Sequence, residues 1–473
     1  METRRLRFEI DSASALKNQN LQKALRNATD RFRAIRERAT GEIKDWEDLR
    51  RRAREIKKNT IEHIDQYLEI LEESIKKAGG TIHWARDGNE ACSIILDIAR
   101  KNKVKSVVKS KSMATEEIEL NQALEGAGIR VVETDLGEYI VQIAKERPSH
   151  ILAPAIHKTK EDIARLFTER LNTQPNLEPE QITKVAREKL RGEFLSADMG
   201  ISGVNFAVAE TGTIVIIENE GNARLSTTIP RIHIALMGIE KVTPKFEDIS
   251  TFLNVLFRSA SGQKISAYVS FITGPKRKSD ADGPEEFHLV IMDNGRSEIL
   301  AHEETRETLY CIRCGACLNI CPVYRKVGGH SYGWIYSGPI GAILTPQLLG
   351  IDKAPDLPFA SSLCGACKDV CPVKIDIPRV LLELRKRVKD SKEGRKNTGF
   401  GERIAVRLWR FSMEHKIIYS LVSSLSYIVQ KPWLKNGRLR SLPLPFSRWT
   451  NHRDFPAVSK TPFRRMWREI KDT

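Results

Sequence analysis

Apolar positions recur every three or four residues through the first part of the chain. Leu21, Ala24, Leu25, Ala28, Phe32 and Ile35 form one stripe; Ala53, Ile56, Ile61, Ile64, Leu68 and Leu71 form a second. That period puts each set on one helix face, so residues 13–77 are expected to form two amphipathic helices joined near "ATGEIKD". The stripes are read as packing faces. From about residue 78 the period changes: "TIHWA", "SVVKS" and "IRVVETD" alternate with helical runs at 88–102 and 115–127. "FAVAETGTIVIIEN", "HIALMGIEKV", "ISAYVSFITG" and "FHLVIMDNG" follow, with a helix expected around 246–257. Strands that alternate with helices build parallel sheets. Residues 78–300 are therefore expected to fold as an α/β domain.

Further on, two cysteine motifs sit on loops between short helices, and "IPRVLLELRKRVKD" reads as the helix leaving the second. Residues 391–400 read as a linker, followed by a helix over "RIAVRLWRFSMEHKIIYSLVSSLSYIVQ" and a Pro- and Trp-rich extended piece. The expected division is N-terminal helices at 1–77, the α/β domain at 78–300, a helical domain carrying the cysteine motifs at 301–392 and a basic tail at 393–473. No apolar run is long enough for a membrane-spanning helix. "METRRLRFEIDS" carries no apolar signal-peptide core, so a cytoplasmic location is expected.

In that compartment thiols stay reduced, and a tight cysteine group points to metal. Seven of the eight cysteines lie between residues 311 and 371; Cys92, in "NEACSIILDIARK", is expected to be a small core residue. "CIRCGACLNICP" spaces Cys311, Cys314, Cys317 and Cys321 as C-x2-C-x2-C-x3-C-P, the signature of two-cluster ferredoxins. Three thiolates from one tight loop hold three corners of a cubane, and the fourth serves the other cluster. Cluster one then takes Cys311, Cys314, Cys317 and Cys371; cluster two takes Cys321, Cys364 and Cys367. Zinc, which prefers paired thiolates, fits two triplets with trailing Cys-Pro less well. The 42 residues between Cys321 and Cys364 leave room for two helices and favour a helical ferredoxin domain. The second motif holds Ser361 where the first has Cys311. Its cluster is therefore expected to be a 3Fe-4S cluster, or a 4Fe-4S cluster completed by Ser361, Ser362, solvent or a partner residue. Cluster one is expected to be 4Fe-4S. Tyr324 and Trp334 are expected to shield the clusters from water.

The Gly-, Ser- and Asn-rich stretch around residues 197–236 suggests turns able to cradle an anion, with Arg224, Arg231 and His233 adding charge. The competing reading is a set of tight hairpins, since no phosphate-loop or dinucleotide fingerprint occurs. His150, His157 and His288 are read as surface or core residues. Net charge is +16, and residues 401–473 carry fifteen Lys or Arg against five Asp or Glu. With Trp409, Trp433, Trp449 and Trp467, this tail suits a partner surface or anionic lipid at the inner membrane face; the competing reading is a tail that packs back over the ferredoxin domain. Its basic residues follow no nucleic-acid reading motif, and no nucleic-acid partner is expected.

The chain resembles the lactate-utilisation protein B family, the iron–sulfur subunit of a bacterial L-lactate-oxidising system. "KSKSMATEEIELNQALEGAGIRVVETDLGEYIVQ", "PSHILAPAIHK", "MGISGVNFAVAETGTIVIIENEGNARLSTTIPRIHI", "GPEEFHLVIMDNGRS" and both cysteine motifs carry the likeness, which runs from about residue 20 to "SRWTNHRDFPA". The resemblance implies that residues 78–300 are a lactate-utilisation domain related in fold to CoA transferases and sugar-phosphate isomerases. It also implies that the seven motif cysteines bind two clusters, which pass electrons during oxidation of L-lactate to pyruvate in company with other subunits. An alternative is a self-contained hydroxy-acid dehydrogenase with its substrate in the α/β domain; a weaker one is a nucleic-acid-binding protein with a structural cluster.

Overall fold

The computed structural model describes residues 5–175, 177–391 and 400–442, and beyond them positions 447, 450, 453–461, 463, 466, 467 and 470. Most of the expected linker (392–399) and Trp449 lie outside the described residues. The chain divides into two compact units, Met1–Val388 and Lys389–Thr473.

In the larger unit a short helix, Phe8–Ala15, leads into Gln19–Gly41, Trp46–Glu62 and Ile64–Lys77. The first break among the long helices falls at the expected joint. The second is a kink at His63, whose φ of −125° and ψ of 34° leave the helical basin. Leu25, Ala53, Ile61, Ile64, Leu68 and Leu71 of the two stripes are buried, and Leu21, Ala28, Phe32 and Ile56 pack half-buried against the same core.

Ten strands follow among the described residues of this unit. They are β1 (Thr81–Ala85), β2 (Ser106–Lys109), β3 (Arg130–Glu133), β4 (Met199–Gly203) and β5 (Phe206–Val208). After them come β6 (Thr213–Glu218), β7 (Ile232–Gly238), β8 (Val242–Thr243), β9 (Tyr268–Ile272) and β10 (Glu286–Met292). An all-parallel sheet runs in the order β3-β2-β4-β7-β10-β1. A smaller mixed sheet, β8-β5-β6-β9, contains the β5–β6 hairpin.

Alternate residues of the central strands feed two cores, because a strand's side chains point to opposite faces. Ile232, Ile234 and Leu236 of β7 with Val290 and Met292 of β10 meet Ala91, Cys92 and Ile95 of helix Gly88–Lys101. Cys92 is thus a buried packing residue. Ala235, Met237, Leu289 and Ile291 face a second core that continues into the N-terminal helices and the cysteine-bearing segment. One apolar interior therefore joins stretches whose sequence periods differ.

The hydrophobic pattern hides β4. "MGISG" has two glycines and only Met199 and Ile201 as apolar residues, yet it lies buried between β2 and β7. Gly200 passes beneath helix Asn222–Thr228, where an added Cβ would stand 1.7 Å from the Ser226 carbonyl oxygen.

Past β10 the chain turns into short helices: Ala316–Ile320, Tyr324–Val327, Gly338–Leu348, Ala366–Val370 and Ile377–Asp390. Two of them fill the interval between the cysteine motifs, as its length allows. The smaller unit has helices Phe400–Glu414 and Lys416–Val429, split at His415 where one helix was expected. Short antiparallel strands Leu434–Lys435, Arg438–Leu439 and Phe455–Pro456 follow. Asn436 (φ 52°) and Gly437 (φ 72°) form the first turn, the pair that a two-residue hairpin with positive φ favours. Among the described residues no helix is long and apolar enough to cross a membrane.

Gly200→Ala should cost roughly 1–3 kcal/mol through overpacking. Gly126→Ala, with nothing within 4 Å of the new methyl, should stay within ~0.5 kcal/mol of the parent. Urea unfolding of the two variants measures the contrast.

Candidate metal centre and the cavity beside it

Both cysteine loops use the same backbone. A 3-10 turn precedes each, Arg306–Tyr310 for the first and Leu357–Phe359 for the second. Two left-handed residues then follow at matched positions: Arg313 (φ 61°) and Gly315 (φ 74°), then Leu363 (φ 56°) and Gly365 (φ 85°). Non-glycine residues rarely adopt that conformation, so its recurrence at Arg313 and Leu363 marks a shared wrapping geometry. Each loop enters a one-turn helix and leaves it through a cysteine before proline. Cys321 has φ −69° and ψ 120°, and Cys371 has φ −66° and ψ 118°.

Cys314, Cys317, Cys321, Cys367 and Cys371 are buried, Cys311 is half-buried and Cys364 is exposed. Backbone amides point at the sulfurs. Arg313 N–H donates to Cys311 Sγ at 3.4 Å, Tyr324 N–H to Cys321 Sγ at 3.5 Å and Ile375 N–H to Cys371 Sγ at 3.4 Å. Such donors suit thiolates bonded to iron and tune a cluster's potential. Burial pushes the thiols up, Cys371 to about 11 and Cys367 to about 12. A metal cation must therefore displace their protons before they can ligate.

Charge coupling sorts the thiols by proximity. Cys314 feels Cys371 and Cys311, and Cys371 feels Cys311, whereas Cys367 feels Cys321 and Cys364. Cys317 feels Cys314 and Cys311 first and Cys367 after them. Among the described residues no three His, Cys, Asp or Glu side chains gather closely enough to hold a single ion. A cubane places its irons between the thiolates, so its ligands need not meet at one point. The donor set fits iron–sulfur clusters.

Basic side chains from helix Trp46–Glu62 fasten the second loop. Arg50 donates to the Cys371 carbonyl from Nε at 3.1 Å and Nη2 at 2.7 Å, and to the Asp369 carbonyl at 2.7 Å. Arg54 reaches the Lys374 carbonyl, and Lys57 donates to the Glu240 carbonyl at 2.6 Å. Burial lowers the Lys57 ammonium to about 7. Sequence reasoning missed these residues. Their spacing at i, i+4 and i+7 on the face shared with Ala53 and Ile61 was the available signal.

The first loop is tied to the sheet. Arg313 Nη2 donates to Glu240 Oε1 at 3.1 Å, and Arg296 Nε donates to Glu240 Oε2 at 2.6 Å. Arg296 also forks onto Glu117 with two bonds of 2.8 Å, and Tyr336 OH donates to Glu117 Oε2 at 2.6 Å. The Arg313 guanidinium lies over the Tyr336 ring at 4.9 Å. Burial alone would push the Glu240 carboxyl up, but Arg296 and Arg313 override it and hold it at about 2. Gly238 leaves room for this pair, since a Cβ there would come within 2.2 Å of both Arg296 Nε and Glu240 Oε2.

Tyr324 is fully buried beside Cys317 and Cys321 and donates to the Ser149 carbonyl at 2.7 Å. Trp334 is buried too and meets Tyr336 edge-on at 5.5 Å. Tyr332, not singled out from the sequence, is buried near Cys321, Cys317 and Cys367.

A cavity of about 390 Å³ opens at the carboxyl ends of β2, β4 and β7. The chain places β3 on one side of β2 and β4 on the other, the kind of strand-order reversal where open parallel sheets bind ligands. Lys111, Lys241, Glu218 and Glu220 line it, and Arg313 and Tyr336 close it from the cysteine side. Arg224, Arg231 and His233 do not converge there. Arg224 is exposed, with its guanidinium 5.9 Å from the Tyr268 ring centre. Arg231 precedes β7 and bonds Glu286 at 3.0 Å and Asn102 at 2.9 Å. His233 is wholly buried in β7, 2.8 Å from Ser202 Oγ, and burial lowers its imidazole to about 3. Arg231 and His233 belong to the amino end of the strand, away from the cavity. His288 contacts His83 at 3.1 Å and His157 contacts Glu146 at 2.7 Å. His150 is a buried brace, 3.1 Å from Asn319 of the first motif's helix.

Residues 68–292 match the LUD domain, 307–375 the 4Fe-4S dicluster domain, and 383–472 the C-terminal region of lactate utilisation protein B. The lactate utilization protein B of Bacillus licheniformis is 47% identical over 97% of this chain and 95% of its own. That of Bacillus subtilis is 46% identical over 97% and 95%, and that of Lysinibacillus sphaericus 45% over 98% and 97%. The chain belongs to the lactate utilisation protein B family. A crystal structure of a DUF162 family protein from Deinococcus radiodurans covers 48% of this chain and 98% of its own. Its TM-score of 0.28 and 15% identity are too low to assign a fold.

In this family member the Glu240 ion pairs should make acid stability pH-dependent. A carboxyl held below its unfolded value stabilises the fold above that value, and the contribution disappears as pH falls from about 4.5 towards about 2. Glu240→Gln should cost roughly 3–5 kcal/mol at neutral pH and flatten that acid limb. Chemical denaturation at stepped pH checks both.

Proposed function

We propose that this chain is an iron–sulfur electron carrier in the oxidation of L-lactate to pyruvate, working with the other subunits of a lactate-utilisation system. The observation that carries the reading is the pair of matched cysteine loops within a segment that matches a 4Fe-4S dicluster domain. Full-length likeness to lactate utilisation protein B supplies the substrate. The dicluster domain holds two clusters of the 4Fe-4S or 3Fe-4S type. Lactate yields two electrons and each cluster ordinarily carries one, so a pair can accept both. The role is electron transfer, with no catalytic step assigned to this chain.

Cluster one is assigned to Cys311, Cys314, Cys317 and Cys371, and cluster two to Cys321, Cys364 and Cys367. The proximity order of the thiols supports this crossed set. Cluster one then lies beside the cavity and cluster two near exposed Cys364. This arrangement suits entry on the cavity side and exit towards a partner. A lactate-utilisation domain at 78–300, with the fold of CoA transferases and sugar-phosphate isomerases, would hold its ligand at such a strand-order reversal. The division at 77, 300 and 392 describes roles in this reading. A hydroxy-acid site within this chain is the second reading, favoured by the cavity's contact with Arg313.

The tail is proposed to meet anionic lipid or an acidic partner surface. Leu408, Trp409, Ile417, Leu421, Leu425 and Ile428 are exposed on its helices, amid a strong excess of basic residues. Flotation with anionic liposomes should carry the full chain and leave a chain ending at Val388 behind. Equal flotation of both would end the lipid reading.

L-Lactate added to the anaerobic, oxidised protein should leave the clusters oxidised, and adding the partner subunits should reduce them, as low-temperature EPR reads. Reduction by lactate alone would move the dehydrogenase site into this chain. No reduction in either mixture would remove lactate from the account.

A further inference from the structure

We infer that Ser361 Oγ is the fourth protein ligand of cluster two. This rests on the cluster assignment proposed above and goes beyond it, since the seven cysteines leave that position open.

The second loop folds like the first although it lacks the leading cysteine. Leu363 and Gly365 repeat the left-handed pair Arg313 and Gly315. Ser361 therefore occupies the backbone position of Cys311, and Ser362 that of Ile312. The ligand atom is matched as well. Leu363 N–H donates to Ser361 Oγ at 3.1 Å, as Arg313 N–H donates to Cys311 Sγ at 3.4 Å. Ser361 Oγ is thus turned by the same i+2 amide that turns the sulfur of Cys311. The loop is fixed from behind, where Arg385 donates to the Pro358 carbonyl at 2.8 Å and the Ser361 carbonyl at 3.0 Å. Ser362 is exposed and aligned with a non-ligand.

Ligation forms an iron–oxygen bond and releases the hydroxyl proton to water, with no change in electron count. The oxygen donor is harder than sulfur and stabilises ferric iron, so cluster two should be harder to reduce than its all-thiolate counterpart.

Anaerobically isolated full-length protein should contain about eight irons per chain, as two four-iron clusters require. It should also lack the EPR signal of an oxidised three-iron cluster. Ser361→Ala should lose about one iron per chain and gain that signal, while Ser362→Ala should behave as the parent. Ser361→Cys should keep the full iron content and raise the potential of one cluster. A parent that already shows the three-iron signal, or a Ser361→Ala protein with unchanged iron and spectrum, would overturn the inference. So would an unshifted potential in Ser361→Cys. Cys364→Ala, which leaves no donor atom at that position, separates the two levels of the argument. Loss or conversion of one cluster in that variant upholds the cysteine assignment whatever Ser361 does, and two intact clusters would remove the assignment itself.

Discussion

The buried ion network centred on Glu240 joins the two halves of the larger unit. Glu117 follows β2, Glu240 follows β7, Arg296 follows β10, and Arg313 lies between two cysteines. Three strand ends and one metal loop thus meet through carboxylates and guanidinia sealed from water. A buried charge left alone is costly, so these elements hold one another in register. The cavity and the first cysteine loop can share a wall because this network places them there.

A second layer of cations reaches the cysteine segment from the N-terminal helices. Arg36, Arg50 and Arg54 arise from the N-terminal helices and grip carbonyls between Asp369 and Lys374. Their positive charge lies near thiolates that carry negative charge once metallated, and the backbone amides at the sulfurs add to it. The N-terminal helices therefore serve the metal centre as well as the core.

How far the sequence could be read depended on how local each signal was. The cysteine loops follow from a spacing of a few residues, and the long stripes of Leu68 and Leu71 or Ala53 and Ile61 from helical period alone. β4 escaped because its glycines answer to distant partners, Gly200 to Ser226 and Gly203 to Ser112, and leave only Met199 and Ile201 as apolar signal. Arg231 and His233 were grouped by proximity in sequence, yet a parallel strand sends its two ends to opposite edges of the sheet. The cavity gathers Lys111, Lys241 and Arg313 from three distant stretches, and no local pattern announces them. Arg50 and Lys57 escaped notice because their partners lie more than 180 residues away in the chain.

In the proposed cluster assignment Cys371 crosses to the first loop, and Cys321 to the second. On that assignment neither cubane would close while the ribosome has made only the first motif, because each would lack ligands from the second. The 42-residue excursion between Cys321 and Cys364 and the seating of the second loop by Arg50 would then both precede cluster closure. Cluster closure on that assignment would report on the folding of the whole unit, and a metallated chain would be one already folded.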